Sequence, residues 1–245
     1  MPVASFYFTE EIYKLGTKVD YAARHGERKV ILVTSVAENE GKSTVAANLA
    51  LSLTQGGRKV LLIDADLHKA AQYKLFHHKP AVDLADILRG EAPYQPELLE
   101  KQGMYTLFST KSSDGAAEPI VSREMGALLD KAREEMDYIV IDSPPMALFS
   151  DVEALADRAD LSLLVVRQDV TPARRINDTV DILNQCRAEL LGCVFNDVRG
   201  LPFSNDHHSY GYGYGDRYGY GGYYGQKPKS GKITDKQSEG THGRA

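Results

Sequence analysis

Cysteines and long apolar runs are both scarce in this sequence. Only two of its 245 residues are cysteines, Cys186 and Cys193. They lie in apolar stretches without the spacing of metal ligands, which predicts small core residues in a reducing compartment. No apolar run approaches the roughly 18–20 residues that a membrane span requires. The N-terminus has neither a basic segment nor an apolar segment of about 7–15 residues, so we expect no secretion signal and a cytoplasmic protein.

Positive charge is in deficit over most of the chain. Residues 1–209 contain 23 Lys/Arg against 31 Asp/Glu, whereas the last twenty residues contain five against two. The acidic body argues against broad nucleic-acid binding, which depends on clustered Lys/Arg that neutralise phosphates. The basic end is compatible with contact to anionic lipid or with a solvated, disordered segment.

Apolar runs alternate with segments of helical period through most of the chain. Between Met125 and Met136, and again between Ala173 and Leu183, apolar residues recur at intervals of three and four. Strands that are apolar on both faces and alternate with amphipathic helices predict an α/β fold, with a mostly parallel central sheet and helices on both faces. The predicted strands are Lys29–Thr34, Lys59–Asp64, Met104–Phe108, Tyr138–Asp142, Leu161–Val166 and Leu190–Phe195.

The sequence ahead of this alternation forms a separate N-terminal part. Residues 1–28 contain a short amphipathic helix, which packs either on the following domain or on a neighbouring subunit as an oligomer contact. The apolar residues of this helix are Ile12, Leu15, Val19 and Ala22. Residues 29–200 hold the strand and helix alternation and form the predicted globular domain.

The last part, residues 201–245, has a different composition. Its cluster at 210–224 holds seven of the 14 tyrosines of the chain, separated by glycines. Glycine costs backbone entropy on ordering, and no aliphatic residue is present there to compensate for that cost, so we predict a disordered tail. The tyrosines of the cluster are Tyr210, Tyr212, Tyr214, Tyr218, Tyr220, Tyr223 and Tyr224.

A phosphate-binding motif follows the first predicted strand. The string Ser35–Thr44 lies between that strand and a helix, which is the context of a P-loop. In a P-loop, backbone N–H groups and the helix N-terminus surround phosphate oxygens, the side chain of Lys42 reaches the terminal phosphates, and the hydroxyl of Ser43 ligates Mg²⁺. The predicted nucleotide-binding residues are Glu38, Asn39, Glu40, Gly41, Lys42, Ser43 and Thr44.

Two further strands end in aspartates at the same edge of the predicted sheet. Asp64 and Asp66 end the second strand, and Asp142 ends the strand that begins at Tyr138. Because Mg²⁺ prefers oxygen ligands, often through water, we expect Asp64 and Asp142 to serve it together with Ser43. One aspartate then remains free to accept the proton of an attacking hydroxyl. The alternative is that these aspartates only mark strand ends.

Together these strings resemble the bacterial tyrosine kinases of capsule and exopolysaccharide synthesis. That family combines a P-loop ending in Gly-Lys-Ser-Thr, an aliphatic strand ending in Asp-x-Asp, and Ile-Asp-x-Pro-Pro with a later Ser-Asp. It also carries a C-terminal tyrosine cluster, so the resemblance covers about residues 10–225. The matching strings here are Ser35–Thr44, Leu61–Asp66, Ile141–Pro145 and Ser150-Asp151.

The chain departs from that family pattern in three places. The Pro-Gly of the family P-loop is Glu38-Asn39 here, and Asn tolerates left-handed backbone angles better than most residues. The arginine two residues after Asp-x-Asp is His68, with Lys69 beside it. The family string Glu-x-x-Arg-x-x-Arg, implicated in ring assembly, is echoed only by Glu11, Lys14 and Thr17.

The resemblance implies a P-loop NTPase fold and an ATP-dependent, autophosphorylating protein-tyrosine kinase that regulates polysaccharide synthesis and export. ATP and Mg²⁺ are the implied cofactors, and the tail tyrosines are the acceptors, phosphorylated in trans within a homo-oligomer. Asp64 is then the proton acceptor, Asp66 assists it, and Asp142 organises Mg²⁺. The implied catalytic residues are Lys42, Asp64, Asp66 and Asp142.

The resemblance also implies partners. Kinases of this size in the family lack the membrane-spanning segment that others carry, so we expect a separate membrane-spanning activator of the polysaccharide co-polymerase type. That activator would recruit the cytoplasmic protein to the inner face of the membrane. Other protein tyrosines are the expected substrates, and we expect no nucleic-acid partner.

Two other functions stay open from the sequence. One is a P-loop ATPase regulator of the partition or septum-site type, which is not a kinase and whose tail is only low-complexity sequence. Those ATPases carry a signature lysine five positions before the P-loop lysine, where this chain has Ala37. The other is a binding module that holds no nucleotide.

Several single residues allow two interpretations. His68, His77 and His78 are either a metal cluster or, without cysteine or carboxylate at ligand spacing, part of a solvated loop. Asn196, at the end of the last strand, either binds the adenine base, as the resemblance implies, or ends the strand as a turn residue. Arg167 is either a site residue or a strand terminator.

Overall fold

The computed structural model describes residues 6–24, 26–110 and 120–199. The tail prediction and the tyrosine cluster at 210–224 lie outside the described residues. The described residues form one seven-stranded sheet with helices on both faces, as the alternation predicts. Among the described helices, none combines the length and the apolarity that crossing a membrane requires.

The sheet has the order β3-β4-β2-β5-β1-β6-β7. All neighbouring strands are parallel except β3 and β4, which are antiparallel. The strands are β1 (Val30–Ser35), β2 (Val60–Asp64), β3 (Glu97–Leu99), β4 (Met104–Leu107), β5 (Tyr138–Asp142), β6 (Leu161–Arg167) and β7 (Glu189–Asn196).

Helices cover both faces because the central strands are apolar on both sides. In β1, Val30 and Leu32 point into one apolar cluster while Ile31 and Val33 point into the other. The helices are α1 (Phe6–Arg24), α2 (Lys42–Gln55), α3 (Gln72–Leu75), α4 (Leu84–Leu88), α5 (Arg123–Glu135), α6 (Asp151–Ala156) and α7 (Ala173–Leu183).

The N-terminal helix packs on the domain itself. Val19 and Ala23 of α1 are buried in the same cluster as the apolar face of α2. The two helices approach closely, since a Cβ at Gly16 would collide with the hydroxyl of Ser52. Asp20 adds polar contacts, because its carboxylate accepts hydrogen bonds from the hydroxyl of Tyr138 and from Arg58. The apolar face of α1 is thus covered by its own domain, and its role as an oligomer contact stays a prediction.

The six predicted strands are present, each within one residue of its predicted ends. β3 was not predicted, because it is a three-residue antiparallel strand at the edge of the sheet.

The expectation of two core cysteines was wrong for Cys193, which is exposed. It lies on β7, which has a neighbouring strand on only one side. Cys186 is half-buried against one of the two apolar clusters.

Candidate active site

The loop between β1 and α2 has the backbone conformation of a phosphate-binding loop. Gly41, the N-cap residue of α2, has φ 93°, and Asn39 has φ 62°, the left-handed conformation that its side chain was expected to tolerate. A Cβ at Gly41 would also collide with the side-chain amide of Asn196, so this position requires glycine for two reasons. The first N–H groups of α2 have no acceptor within the helix and are available to an anion.

The loop is braced from the side of β6 and β7. The carboxylate of Glu40 is fully buried and accepts hydrogen bonds from the backbone N–H of Ala37 at 2.7 Å and from the hydroxyl of Thr171 at 2.8 Å. The amide of Asn196 donates to the backbone oxygen of Glu40 at 2.8 Å. Arg167 donates to the backbone oxygen of Asn39 at 3.2 Å, so it contacts the site rather than only ending its strand. The adenine contact of Asn196 stays a prediction.

Lys42 lies at the start of α2, beside the aspartates at the carboxyl ends of β2 and β5. Its ammonium contacts a carboxylate oxygen of Asp66 at 2.7 Å. Burial by itself would lower the pKa of Lys42, but the carboxylates of Asp142, Asp66 and Asp64 outweigh it, so this pKa lies above its usual value. Lys42 is therefore held in its charged form, which binding to phosphate requires.

Asp64 and Asp142 are register partners at the carboxyl ends of β2 and β5, and both side chains are fully buried. One oxygen of Asp64 accepts the backbone N–H groups of Ala71 and Gln72, at 3.0 and 2.9 Å. Burial and the neighbouring Asp142 raise the pKa of Asp64 well above its ordinary value. Burial also raises the pKa of Asp142, against the opposing effect of the Lys42 ammonium.

Gln72, at the start of α3, connects these parts and was not recognised in the sequence. Its side-chain amide donates to the backbone oxygen of Ser43 at 3.0 Å and to Asp142 at 2.8 Å, while its backbone N–H binds Asp64. The sequence around it has little periodicity, and α3 is only four residues long. No local signal distinguishes this glutamine from an exposed one.

The buried oxygens left without a partner fit a magnesium ion with its water shell. Among the described residues, the second oxygens of Asp64 and Asp142 and the side-chain oxygen of Gln72 are buried and accept no hydrogen bond. The hydroxyl of Ser43 lies close to Asp142 and opposes the rise in the pKa of that carboxyl. The described ranges hold no group of three or more His, Cys, Asp or Glu side chains placed to bind a metal. Mg²⁺ needs no such group, because one or two carboxylates with water and substrate phosphates suffice.

The remaining residues of interest lie around this centre. Thr44 is exposed on the first turn of α2. The ring of His68 stacks on that of Phe149 with centroids 3.9 Å apart, and its Nε2 lies 3.9 Å from the carboxylate of Asp151. His78 pairs with Glu97 instead, at 2.7 Å. His68 and His78 therefore have different neighbours.

Fold and site together define a P-loop NTPase. The family model described as ParA, NUBPL iron-transfer P-loop NTPase, matches residues 26–216. The tyrosine-protein kinase YwqD of Bacillus subtilis is 31% identical over 206 residues, which are 83% of this chain and 85% of that protein. The kinase domain of the Escherichia coli tyrosine kinase ETK superposes with a TM-score of 0.74 at 26% identity, covering 83% of this chain and 80% of the other.

A further relative is larger than this chain. The protein named putative tyrosine-protein kinase EpsB, from Ralstonia solanacearum, is 30% identical over 213 residues. The match covers 86% of this chain but 27% of that relative. Within the P-loop NTPases, the chain belongs to the bacterial tyrosine-protein kinases of the capsule and exopolysaccharide family.

Proposed function

We propose that the chain is an ATP-dependent protein-tyrosine kinase that phosphorylates the tyrosines of its own C-terminal cluster in trans. The observation that carries the proposal is the meeting of Asp64, Asp66 and Asp142 at the P-loop lysine, with two buried carboxylate oxygens left unpartnered. Membership of the tyrosine-kinase family supports it. Because that family acts in polysaccharide synthesis, we infer that the kinase controls capsule or exopolysaccharide export.

The P-loop residues position the nucleotide in this proposal. The N–H groups at the start of α2 bind phosphate oxygens, and the Lys42 ammonium binds the terminal phosphates in place of Asp66. Ser43, Asp64 and Asp142 are the residues that would hold Mg²⁺. The ion supplies neutralisation of charge on the phosphates. Phosphoryl transfer needs little beyond such positioning and charge neutralisation.

A tyrosine hydroxyl must lose its proton as it attacks. Its ordinary pKa is about 10, so a carboxylate close to the terminal phosphate is the acceptor. We assign this role to Asp64, assisted by Asp66. The charge of Asp64 raises the pKa of Lys42, so Asp64 lies near the side chain that binds the terminal phosphates. The phenol oxygen forms the new bond to phosphorus, the bond to ADP breaks, and the proton passes to the carboxylate.

The tail is long enough to reach a neighbouring subunit. From Asn196 to Tyr210 there are 14 residues, which span at most about 46–50 Å when fully extended. Tethering of the tail within an assembly raises its local concentration to about the millimolar range. We therefore propose a homo-oligomer in which one subunit phosphorylates the next, and a separate membrane-spanning activator that recruits and organises it.

Phosphorylation in trans is tested by mixing two forms of the full chain. The Lys42→Met variant keeps the tail but lacks the lysine that binds the terminal phosphates. We expect it to gain phosphotyrosine at 210–224 when mixed with the wild-type protein, Mg²⁺ and ATP, and none when incubated alone. A phosphotyrosine map by mass spectrometry, with and without the candidate activator, measures both. ATP hydrolysis without any phosphotyrosine would overturn the proposal in favour of a regulator that is not a kinase.

A further inference from the structure

A second lysine lies at the open edge of the phosphate-binding loop. Lys69 is exposed, and its ammonium lies 3.2 Å from the carboxylate of Glu38 and 3.4 Å from the side-chain oxygen of Asn39. Both partners belong to the P-loop, 30 residues or more away in sequence. The contact joins the residues that replace the Pro-Gly of the family P-loop to the residue beside His68.

The backbone of Lys69 is fixed close to Lys42. The carboxylate of Asp66 contacts the Lys42 ammonium with one oxygen and accepts the N–H of Lys69 with the other, at 2.7 and 2.9 Å. One carboxylate therefore separates the two lysines. The P-loop lysine binds the β- and γ-phosphates. The backbone of Lys69 therefore lies on the side of the site where the terminal phosphates bind.

The P-loop contains two glutamates near the place where the negatively charged phosphates bind, and only one of their side chains is buried. Glu40 is buried and turned inward, with hydrogen bonds to Ala37 and Thr171. Glu38 is exposed, and its ion pair with Lys69 is solvated on both sides. An exposed ion pair of this kind contributes little free energy, so it breaks at small cost when a stronger acceptor is offered. A triphosphate, with several negative oxygens, is such an acceptor.

We propose that Lys69 is a nucleotide-binding residue, which exchanges Glu38 for the terminal phosphate of ATP. The backbone N–H of Lys69 stays bound to Asp66, while the ammonium moves from the edge of the loop to the phosphate. Glu38 competes for the lysine and opposes binding of the anion. This inference rests on the proposed binding of ATP at the P-loop and concerns affinity rather than the transfer step.

Titration calorimetry of Mg·ATP binding to the full chain tests the proposal, because two substitutions are expected to change the affinity in opposite directions. Lys69→Gln is expected to weaken ATP binding about tenfold, the loss of one charged phosphate contact, and to weaken ADP binding less. Glu38→Gln is expected to tighten ATP binding about two- to fivefold, since it removes the competitor. Lys79→Gln, at an exposed lysine ten residues away, controls for general loss of positive charge and should change neither affinity.

The double variant separates a phosphate contact from simple neutralisation of Glu38. If Lys69 binds phosphate, Glu38→Gln with Lys69→Gln binds ATP more weakly than Glu38→Gln alone. Equal affinities of those two proteins would overturn the proposal. So would a weakening in both single variants, which is the result expected if the ion pair only holds the loop in shape. A wild-type protein that binds no ATP would instead refute the proposed function itself.

Discussion

Asp64 and Asp142 show how the site is built at the expense of stability. Two carboxyl groups at paired positions of β2 and β5 are fully buried, and each leaves one oxygen without a partner. Burial raises the pKa of both carboxyl groups, and the charge of Asp142 adds to the rise at Asp64, so the ionised forms are penalised. A core free of function would place apolar residues there. The arrangement therefore indicates a site kept ready for a cation and phosphates.

Substitution of Asp64 by asparagine should stabilise the protein while abolishing phosphorylation. The amide oxygen of Asp64→Asn can still accept the N–H groups of Ala71 and Gln72, whereas one buried charge is removed. We expect a gain of about 1–3 kcal/mol in the free energy of unfolding at neutral pH, measured by urea denaturation. Asp130→Asn, at an exposed aspartate of α5, should change it by less than about 0.5 kcal/mol.

The same variant predicts the direction of the pH dependence. Because the folded pKa of Asp64 is raised, its ionised form destabilises the wild-type protein most at pH values above that pKa. As the pH falls through the raised pKa, the carboxyl gains its proton and the penalty disappears. The advantage of Asp64→Asn should therefore shrink on acidification. An advantage that grows as the pH falls would contradict this assignment of the pKa shift.

The acids could be predicted from the sequence because they follow apolar strands, and parallel strands place their carboxyl ends together. Lys42 and Ser43 followed from the spacing of the P-loop. Gln72 could not be predicted, since its importance comes from contacts with Ser43 and Asp142 that lie far away in sequence. The inward position of Glu40 is likewise set by Thr171, across 131 residues.

At the scale of elements, Asp20 attaches α1 to the rest of the domain. Its carboxylate accepts the hydroxyl of Tyr138 at 2.8 Å and the side chain of Arg58 at 3.1 Å, and it pairs with Arg24 on its own helix. Burial and Asp20 together raise the pKa of Tyr138 to about 12. One side chain thus joins the first helix to the starts of β2 and β5.

Asp20→Ala should loosen that attachment. Tyr138 is almost fully buried, so its hydroxyl would lose its partner inside the protein. We expect a loss of about 1–3 kcal/mol in the free energy of unfolding, together with a lower pKa of Tyr138 in an absorbance titration. Glu11→Ala on the same helix breaks only an exposed pair with Lys14 and should cost less than about 0.5 kcal/mol. Equal losses in the two variants would show that Asp20 has no special role.

The elements differ in how far the sequence predicts them. Long apolar strands such as β5 were predicted to the residue, because their burial on both faces leaves a strong pattern. Short elements such as β3 and α3 were missed, since three or four residues show no period. Whether α1 packs on its own domain could not be predicted either, because an apolar helix face does not specify what covers it.

At the scale of the whole molecule, we expect the charge balance to link phosphorylation to assembly. The chain is acidic, with a formal net charge of −5. Each phosphate adds about −1.5 to −2 charges, so complete modification of the seven tail tyrosines adds roughly −10 to −14. We expect subunits that associate to phosphorylate one another's tails to repel one another after this modification. Association would permit phosphorylation, and phosphorylation would end association.

Native mass spectrometry before and after incubation with Mg·ATP measures this cycle. We expect larger assemblies before incubation and smaller ones once several phosphates are present per chain, with a stronger effect at low ionic strength. The Lys42→Met variant alone should keep its assembly state throughout. Persistence of the full assembly after phosphorylation at several sites would refute the cycle, while leaving the kinase activity itself standing.

The bracing of the P-loop has a kinetic consequence for nucleotide exchange. Asn39 and Glu40 accept hydrogen bonds from Arg167, Thr171 and Asn196, so contacts within the protein hold the loop. The loop thus acquires its shape when the protein folds. Nucleotide binding therefore loses no free energy to ordering of the loop. We therefore expect ADP to leave once its contacts with the protein break, without a rearrangement of the loop backbone.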